Sequence, residues 1–140
     1  MSVKLNIAAT EAEVLVQLAE YFVAAGKAAI TEHGRFSVSL SGGSSPKKLY
    51  ELLATTYKDA LAWSKVDFFF GDERYVPHTD KDSNYLMAKK ALFSPLDIPH
   101  SNIYAVDTSY TPEAAADAYT VAIKEYFKGK AVVFDLVLLG

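Results

Sequence analysis

Phe36-Ser37-Val38-Ser39-Leu40-Ser41-Gly42-Gly43-Ser44-Ser45-Pro46 reads as a buried strand that runs through a loop into a helix. Phe36, Val38 and Leu40 form a short β-prone run, the Ser-Gly cluster breaks it, and Pro46 suits the first position of the helix that follows. Two glycines and three hydroxyls sit in that loop. Glycine lets backbone come close to a ligand, and the free N–H groups of a helix start, with serine hydroxyls beside them, make a place for an anion such as a phosphate. The same residues also fit a plain strand-to-helix turn. Gly42-Gly43-Ser44-Ser45 lacks the Gly-Lys-Ser/Thr ending of a Walker loop and the spaced third glycine of a dinucleotide fingerprint, so no nucleotide is implied.

Beyond the loop, Leu49, Tyr50, Leu52 and Leu53 recur at helical spacing, and Val66-Asp67-Phe68-Phe69-Phe70 is a second, almost wholly apolar strand. Residues 36–70 have the length of a βαβ unit, and strands this apolar suit a parallel sheet covered on both faces. Trp63, between them, reads as core or as cover for a sheet edge. In such sheets ligands gather beyond the carboxyl ends of the strands. Two loops meet that description: Ser41-Gly42-Gly43-Ser44 and Gly71-Asp72-Glu73-Arg74. The second brings two carboxylates and a guanidinium next to the first, so the two loops are expected to share one site, although a solvated ion-pair turn accounts for the same charges.

Upstream, residues 3–7 alternate as a short strand does. Thr10 and Glu13 have the spacing of a capping box. Val14, Leu15, Leu18, Phe22, Val23, Ala29 and Ile30 fall on one stripe of a long helix that Gly34 stops. His33, in its last turn, reads as a surface or capping residue. Downstream, Ser83 caps an expected helix over 84–92. Pro95 and Pro99 keep 93–104 from being a regular helix, with Ile103 and Tyr104 entering a short strand. Thr111-Pro112-Glu113 starts another helix, whose apolar face is Tyr119, Ala122, Ile123, Tyr126 and Phe127 and whose stop is Gly129. Residues 132–139 read as one more buried strand. His78 and His100 have no ligand-type neighbours in the sequence.

At 140 residues, 51% hydrophobic and 22% charged, the chain is expected to form one domain with one core. A net charge of −3 and no basic run argue against nucleic acid or an acidic membrane as partners. With no cysteine there is no disulfide, thiolate nucleophile or cysteine-built zinc site. Lys4, Asn6 and Glu11 interrupt the N-terminal apolar residues too early for a signal peptide, and no stretch reads as approaching eighteen apolar residues. A cytoplasmic address is the expectation.

Ser41-Gly42-Gly43-Ser44-Ser45-Pro46, Gly71-Asp72-Glu73-Arg74-Tyr75-Val76-Pro77, Asp82-Ser83-Asn84-Tyr85 and Phe134-Asp135-Leu136-Val137-Leu138-Leu139-Gly140, in that order, resemble the 6-phosphogluconolactonases, over the N-terminal part of that family. Ser45 stands where members commonly carry threonine, which keeps the hydroxyl. The resemblance implies an α/β domain with a Rossmann-like parallel sheet and helices on both faces. It also implies a phosphorylated sugar lactone as substrate, with no metal and no organic cofactor. Glucosamine-6-phosphate deaminases are similar in the glycine loop and the acid pair, but carry tyrosine at the position of Arg74.

On this resemblance Gly42, Gly43, Ser44 and Ser45 hold the phosphate. Asp72 and Arg74 are the catalytic candidates: Arg74 for the oxyanion or the carboxylate product, Asp72 to orient a histidine or the sugar hydroxyls. The family's general base is a histidine in a Gly-His pair that follows the last of these motifs. His33, His78 and His100 match no such position, so the 140-residue chain alone is expected to be inactive. Its last strand is expected to lack cover. An amino-sugar deaminase and a binding-only sensor of sugar phosphates are the alternatives.

Overall fold

The computed structural model describes residues 10–128 and 130–138. The first helix, α1 (Glu11–His33), starts where the capping box places it: Thr10 Oγ1 accepts the amide of Glu13, and Gly34 ends the helix at φ 87°, its N–H bonded to the Ile30 carbonyl. An 18-residue window of α1 has mean hydropathy 1.3 and at most two charged residues, so by length and composition alone it could cross a bilayer. That corrects the expectation of no such stretch. Its apolarity has a use here, since Ala19, Phe22, Val23, Gly26 and Ala29 are buried in the core.

Strand β1 (Phe36–Leu40) leads into α2 (Ser44–Thr55), and a short 3-10 turn at Trp63–Lys65 feeds β2 (Val66–Phe70). β1 and β2 are parallel, with Phe36 beside Val66 and Leu40 beside Phe70, and every residue of both strands is buried. This is the predicted βαβ unit, and the class is the predicted α/β. β3 (Leu136–Val137) pairs parallel to β1 on its other side, giving the order β2-β1-β3. Ile103 adds a single parallel bridge to Phe68, and the Tyr104 amide reaches the Phe68 carbonyl at 2.8 Å, so the expected short strand there is reduced to one bridge.

The alternation along the strands separates two unlike faces. Phe36, Val38, Leu40, Val66, Phe68 and Phe70 point into the main core, where Phe22 meets Phe36 edge-on at 5.3 Å and Phe93 meets Phe68 at 5.1 Å. Trp63 stacks on Phe22 and donates Nε1–H to the Lys58 carbonyl. Ser37, Ser39, Asp67 and Phe69 point the other way. Phe69 lies flat on Tyr104 at 4.5 Å, with Tyr126 and Phe134 around it. Asp67 is buried as a charge, yet it is fully engaged: Arg35 holds both its oxygens (2.6 and 2.7 Å) and the Tyr126 hydroxyl donates to one of them.

Three expectations are corrected. Pro46 is the third residue of α2 rather than the first, because Gly43 at φ 114° turns the chain early enough for Ser44 to begin the helix. The helix over 84–92 is instead a short α3 (Asn84–Ala88) followed by a π-helical turn, Lys89–Phe93, which seats Leu92 and Phe93 in the core. Over its described residues, 132–138, the expected buried strand shrinks to β3, and Val132, Val133 and Val137 are 46, 68 and 50% exposed. Leu136 and Leu138 pack against the core, and a polar anchor adds to them: Asp135 Oδ2 accepts from the amide and hydroxyl of Ser37, and His33 Nε2 lies 3.0 Å from Asp135 Oδ1. His33 is thus a tether between α1 and the approach to β3. The last helix, α4 (Pro112–Phe127), is capped by Thr111 and turns its predicted face, Tyr119 to Phe127, inward. The strand read at 3–7 and the stop at Gly129 lie outside the described residues.

Candidate functional site

Both glycine-bearing loops leave the carboxyl ends of neighbouring parallel strands, and the Gly71 amide donates to the Leu40 carbonyl at 2.9 Å, so they start side by side. Between them is an open cavity of about 430 Å³ lined by Ser41, Gly42, Gly43, Gly71, Asp72, Arg74 and Asn84, with Val137 and Leu138 of the third strand on its rim. The structure thereby places Gly42, Gly43, Asp72 and Arg74 on one surface. Ser44 and Ser45 open α2 immediately beside it, and Ser45 also faces an apolar groove toward Leu136.

The glycine loop is held from below. Tyr50, fully buried one and a half turns into α2, donates its hydroxyl to the Ser41 carbonyl at 2.7 Å and accepts the Ser41 amide at 3.2 Å. Burial raises the Tyr50 pKa well above its ordinary value of 10.0, so the phenol stays a donor. Above this clamp, Gly43 caps α2 with no side-chain bond, which leaves the Ser44 and Ser45 amides without intrahelical acceptors, and Pro46 has none to offer. Ser41 Oγ is buried with no hydrogen-bond partner among the described residues. A hydroxyl and two amides at the start of a twelve-residue helix are a match for an anion.

Asn84 joins the two loops. Its Nδ2 donates to the Asp72 carbonyl at 3.2 Å and lies 3.4 Å from Asp72 Oδ1, while its Oδ1 is packed against Gly42 so closely that a Cβ there would overlap it. Gly42 is therefore glycine for space, whereas Gly43 is glycine for its φ of 114°. Glu73 is turned away from the cavity and accepts from the amides of Arg74, Asn84 and Tyr85 and from the Ser83 hydroxyl. The ion-pair turn that the sequence also allowed is not formed: among the described residues neither Asp72 nor Arg74 takes part in a salt bridge, and both side chains are exposed.

No histidine lines the cavity. His78 stacks on Tyr85 at 4.5 Å with its Nε2 2.7 Å from the Val106 carbonyl, which gives it a place in the packing. His100 sits in the 3-10 turn His100–Asn102. Among the described residues no three His, Asp or Glu side chains group to hold a metal ion. Sequence reasoning placed Ser41 and Glu73 in the two loops without a role of their own, and missed Tyr50 and Asn84 as parts of the site. The one available signal was Tyr50, a phenol on an otherwise apolar helical stripe whose hydroxyl needs a partner when buried.

The family described as glucosamine-6-phosphate isomerases/6-phosphogluconolactonase matches residues 9–140. The chain belongs to this family. The 6-phosphogluconolactonase of Nostoc sp. is 44% identical over 116 residues, which are 80% of this chain and 47% of that protein, and that of Synechocystis sp. is 43% identical over the same shares. Among solved structures, the 6-phosphogluconolactonase from Trypanosoma cruzi superposes with a TM-score of 0.84 at 34% identity, over all of this chain and 60% of its own. The enzyme from Thermotoga maritima gives 0.79 at 32%, over 88% of this chain and 53% of its own. The chain spans about half the length of the lactonases it matches.

Proposed function

We propose that this chain contributes the phosphate-holding and charge-stabilising part of a site that hydrolyses 6-phosphogluconolactone to 6-phosphogluconate. The observation that carries the reading is the single cavity onto which the glycine loop, Asp72 and Arg74 all open, in a chain whose relatives are lactonases. Arg74, in place of the tyrosine of the similar deaminases, favours a substrate whose carbonyl oxygen becomes anionic.

Ring opening of a lactone requires attack of water on the carbonyl carbon, stabilisation of the oxyanion that forms, and cleavage of the ring C–O bond to leave a carboxylate and a hydroxyl. In the proposed arrangement the amides of Ser44 and Ser45, with the hydroxyls of the loop, hold the phosphate at the far end of the substrate and fix its position. Arg74 neutralises the oxyanion and then the product carboxylate. Asp72, steadied by Asn84, accepts hydrogen bonds from the sugar hydroxyls or orients a base. None of the chain's three histidines lines the cavity, so its part in the reaction is binding and charge stabilisation, without a histidine base.

Titration of 6-phosphogluconate into the isotopically labelled chain, followed by amide NMR, tests the reading. Shifts are expected at Gly42–Ser45 and Arg74, and Gly43→Val, which strains φ and blocks the approach of the anion, should abolish them. Retained affinity in Gly43→Val reduces the loop to a structural turn. Ammonia release from glucosamine 6-phosphate would instead assign the deaminase chemistry.

A further inference from the structure

Glu73 lies in the middle of Asp72-Glu73-Arg74, yet it is the one of the three that does not line the cavity. Each of its carboxylate oxygens faces two donors. Oε1 accepts the Arg74 amide at 2.8 Å and the Asn84 amide at 2.6 Å; Oε2 accepts the Tyr85 amide at 2.9 Å and the Ser83 hydroxyl at 3.1 Å. One side chain therefore joins its own loop to the start of α3, and α3 delivers Asn84, whose side chain touches both Asp72 and Gly42. Glu73 is half-buried, whereas Asp72 and Arg74 on either side of it are exposed and line the cavity, so the inward pinning of Glu73 goes with the outward setting of its two neighbours.

We infer that Glu73 is a positioning residue: its carboxylate sets the loop so that Asp72 and Arg74 face the ligand, while the glycine loop keeps its own hold through Tyr50. This rests on the lactonase reading above for what the ligand is. The requirement is for an ionised carboxylate in particular. A carboxylate presents acceptors on both oxygens, whereas the isosteric amide of glutamine presents an NH₂ to one pair of donors, so one backbone N–H at least is set against another donor. Aspartate is one methylene too short to span from its own loop to α3.

The test is Glu73→Gln in the full chain, with 6-phosphogluconate and inorganic phosphate as separate probes and urea denaturation as the stability control. The Kd for 6-phosphogluconate should rise at least about tenfold, because the Arg74 contact is lost, while the Kd for inorganic phosphate, held by the glycine loop, stays within about twofold. A parallel loss for both probes, in step with stability, means that Glu73 is merely structural and overturns the inference, as does no change in either. Should the variant not fold, amide hydrogen exchange in the unaltered chain decides: Arg74, Asn84 and Tyr85 must be protected together, and free exchange at Asn84 and Tyr85 refutes the clamp. If the unaltered chain binds neither probe, the lactonase reading fails, and the exchange measurement still judges Glu73 on its own.

Discussion

Replacing Gly42 with alanine adds one methyl group, at the point where the two loops touch. The new Cβ would overlap Asn84 Oδ1 and stand 2.6 Å from its Cγ and 3.0 Å from its Nδ2, so the Asn84 side chain has to move. Moving it breaks the bond to the Asp72 carbonyl, and the alternatives are poor because Asn84 is buried and its own amide is fixed by Glu73. Overpacking of this kind costs about 1–3 kcal/mol and a lost hydrogen bond about 1, which together give roughly 3 kcal/mol. For a chain of this size that lowers the melting midpoint by about 10 °C. Urea denaturation followed by circular dichroism measures it, and a double-mutant cycle identifies the cause. In an Asn84→Ala background the three atoms nearest the extra methyl group are gone, so Gly42→Ala should then cost less than about 0.5 kcal/mol. Equal costs in both backgrounds would refute the account, because they would place the strain in the Gly42 backbone and not in its contact with Asn84.

Tyr50→Phe leaves the Ser41 amide and carbonyl without their partner; a loss of about 2 kcal/mol is expected in urea denaturation, along with broadened NMR signals from Gly42 and Gly43. Arg35→Met strands the Asp67 carboxylate, which is 3% exposed, but Arg35 itself is 46% exposed, so the expected cost is about 2 kcal/mol rather than the 3–5 of a fully buried pair. Arg74→Leu should weaken 6-phosphogluconate binding about tenfold or more, the worth of one charge-assisted bond, with stability unchanged within about 0.5 kcal/mol, by calorimetric titration and urea denaturation. Burial raises the pKa of Tyr50 and of Tyr119 above the ordinary 10.0, so the folded chain holds phenolic protons that the unfolded chain has released. Stability contributed this way is complete below about pH 10 and falls above it, by roughly 1.4 kcal/mol per pH unit for each of the two tyrosines, in denaturation series from pH 9 to 11.5.

What the sequence disclosed was local. The Thr10 and Thr111 caps, the Gly34 stop, the inward face of α4 and the β1-loop-α2 unit depend on residues within a turn or two of each other, and each is formed where its spacing implies. The candidate loops were legible for the same reason. Residues 132–139 misled because an apolar run signals burial, while a strand is defined by its pairing: among the described residues only Leu136 and Val137 sit in the ladder with β1, flanked by hydrogen bonds between Asp135 and Ser37 and from the Leu138 amide to the Ser39 carbonyl, and Phe134 instead turns onto Phe69 and Phe127. Glu73, Asn84 and Tyr50 act through bonds to residues nine to twelve positions away that meet only once the loops are folded, and no helical or strand period announces such pairs.

The two pairings of β1 differ in how far the chain must travel to make them. Phe36 meets Val66 across a single helical crossover, while the bonds from Ser37 to Asp135 close a loop of 98 residues. Closing the longer loop costs more entropy and is slower, and a chain emerging from the ribosome exposes residues 36–70 well before 135. The β1-α2-β2 unit, carrying Tyr50 and the glycine loop, is therefore available as a template on which the Asp135 anchor docks later. Mutations at Asp135 should then mainly speed unfolding in stopped-flow refolding and unfolding series, whereas those at the core-facing Val38 of β1 and Phe68 of β2 should slow folding.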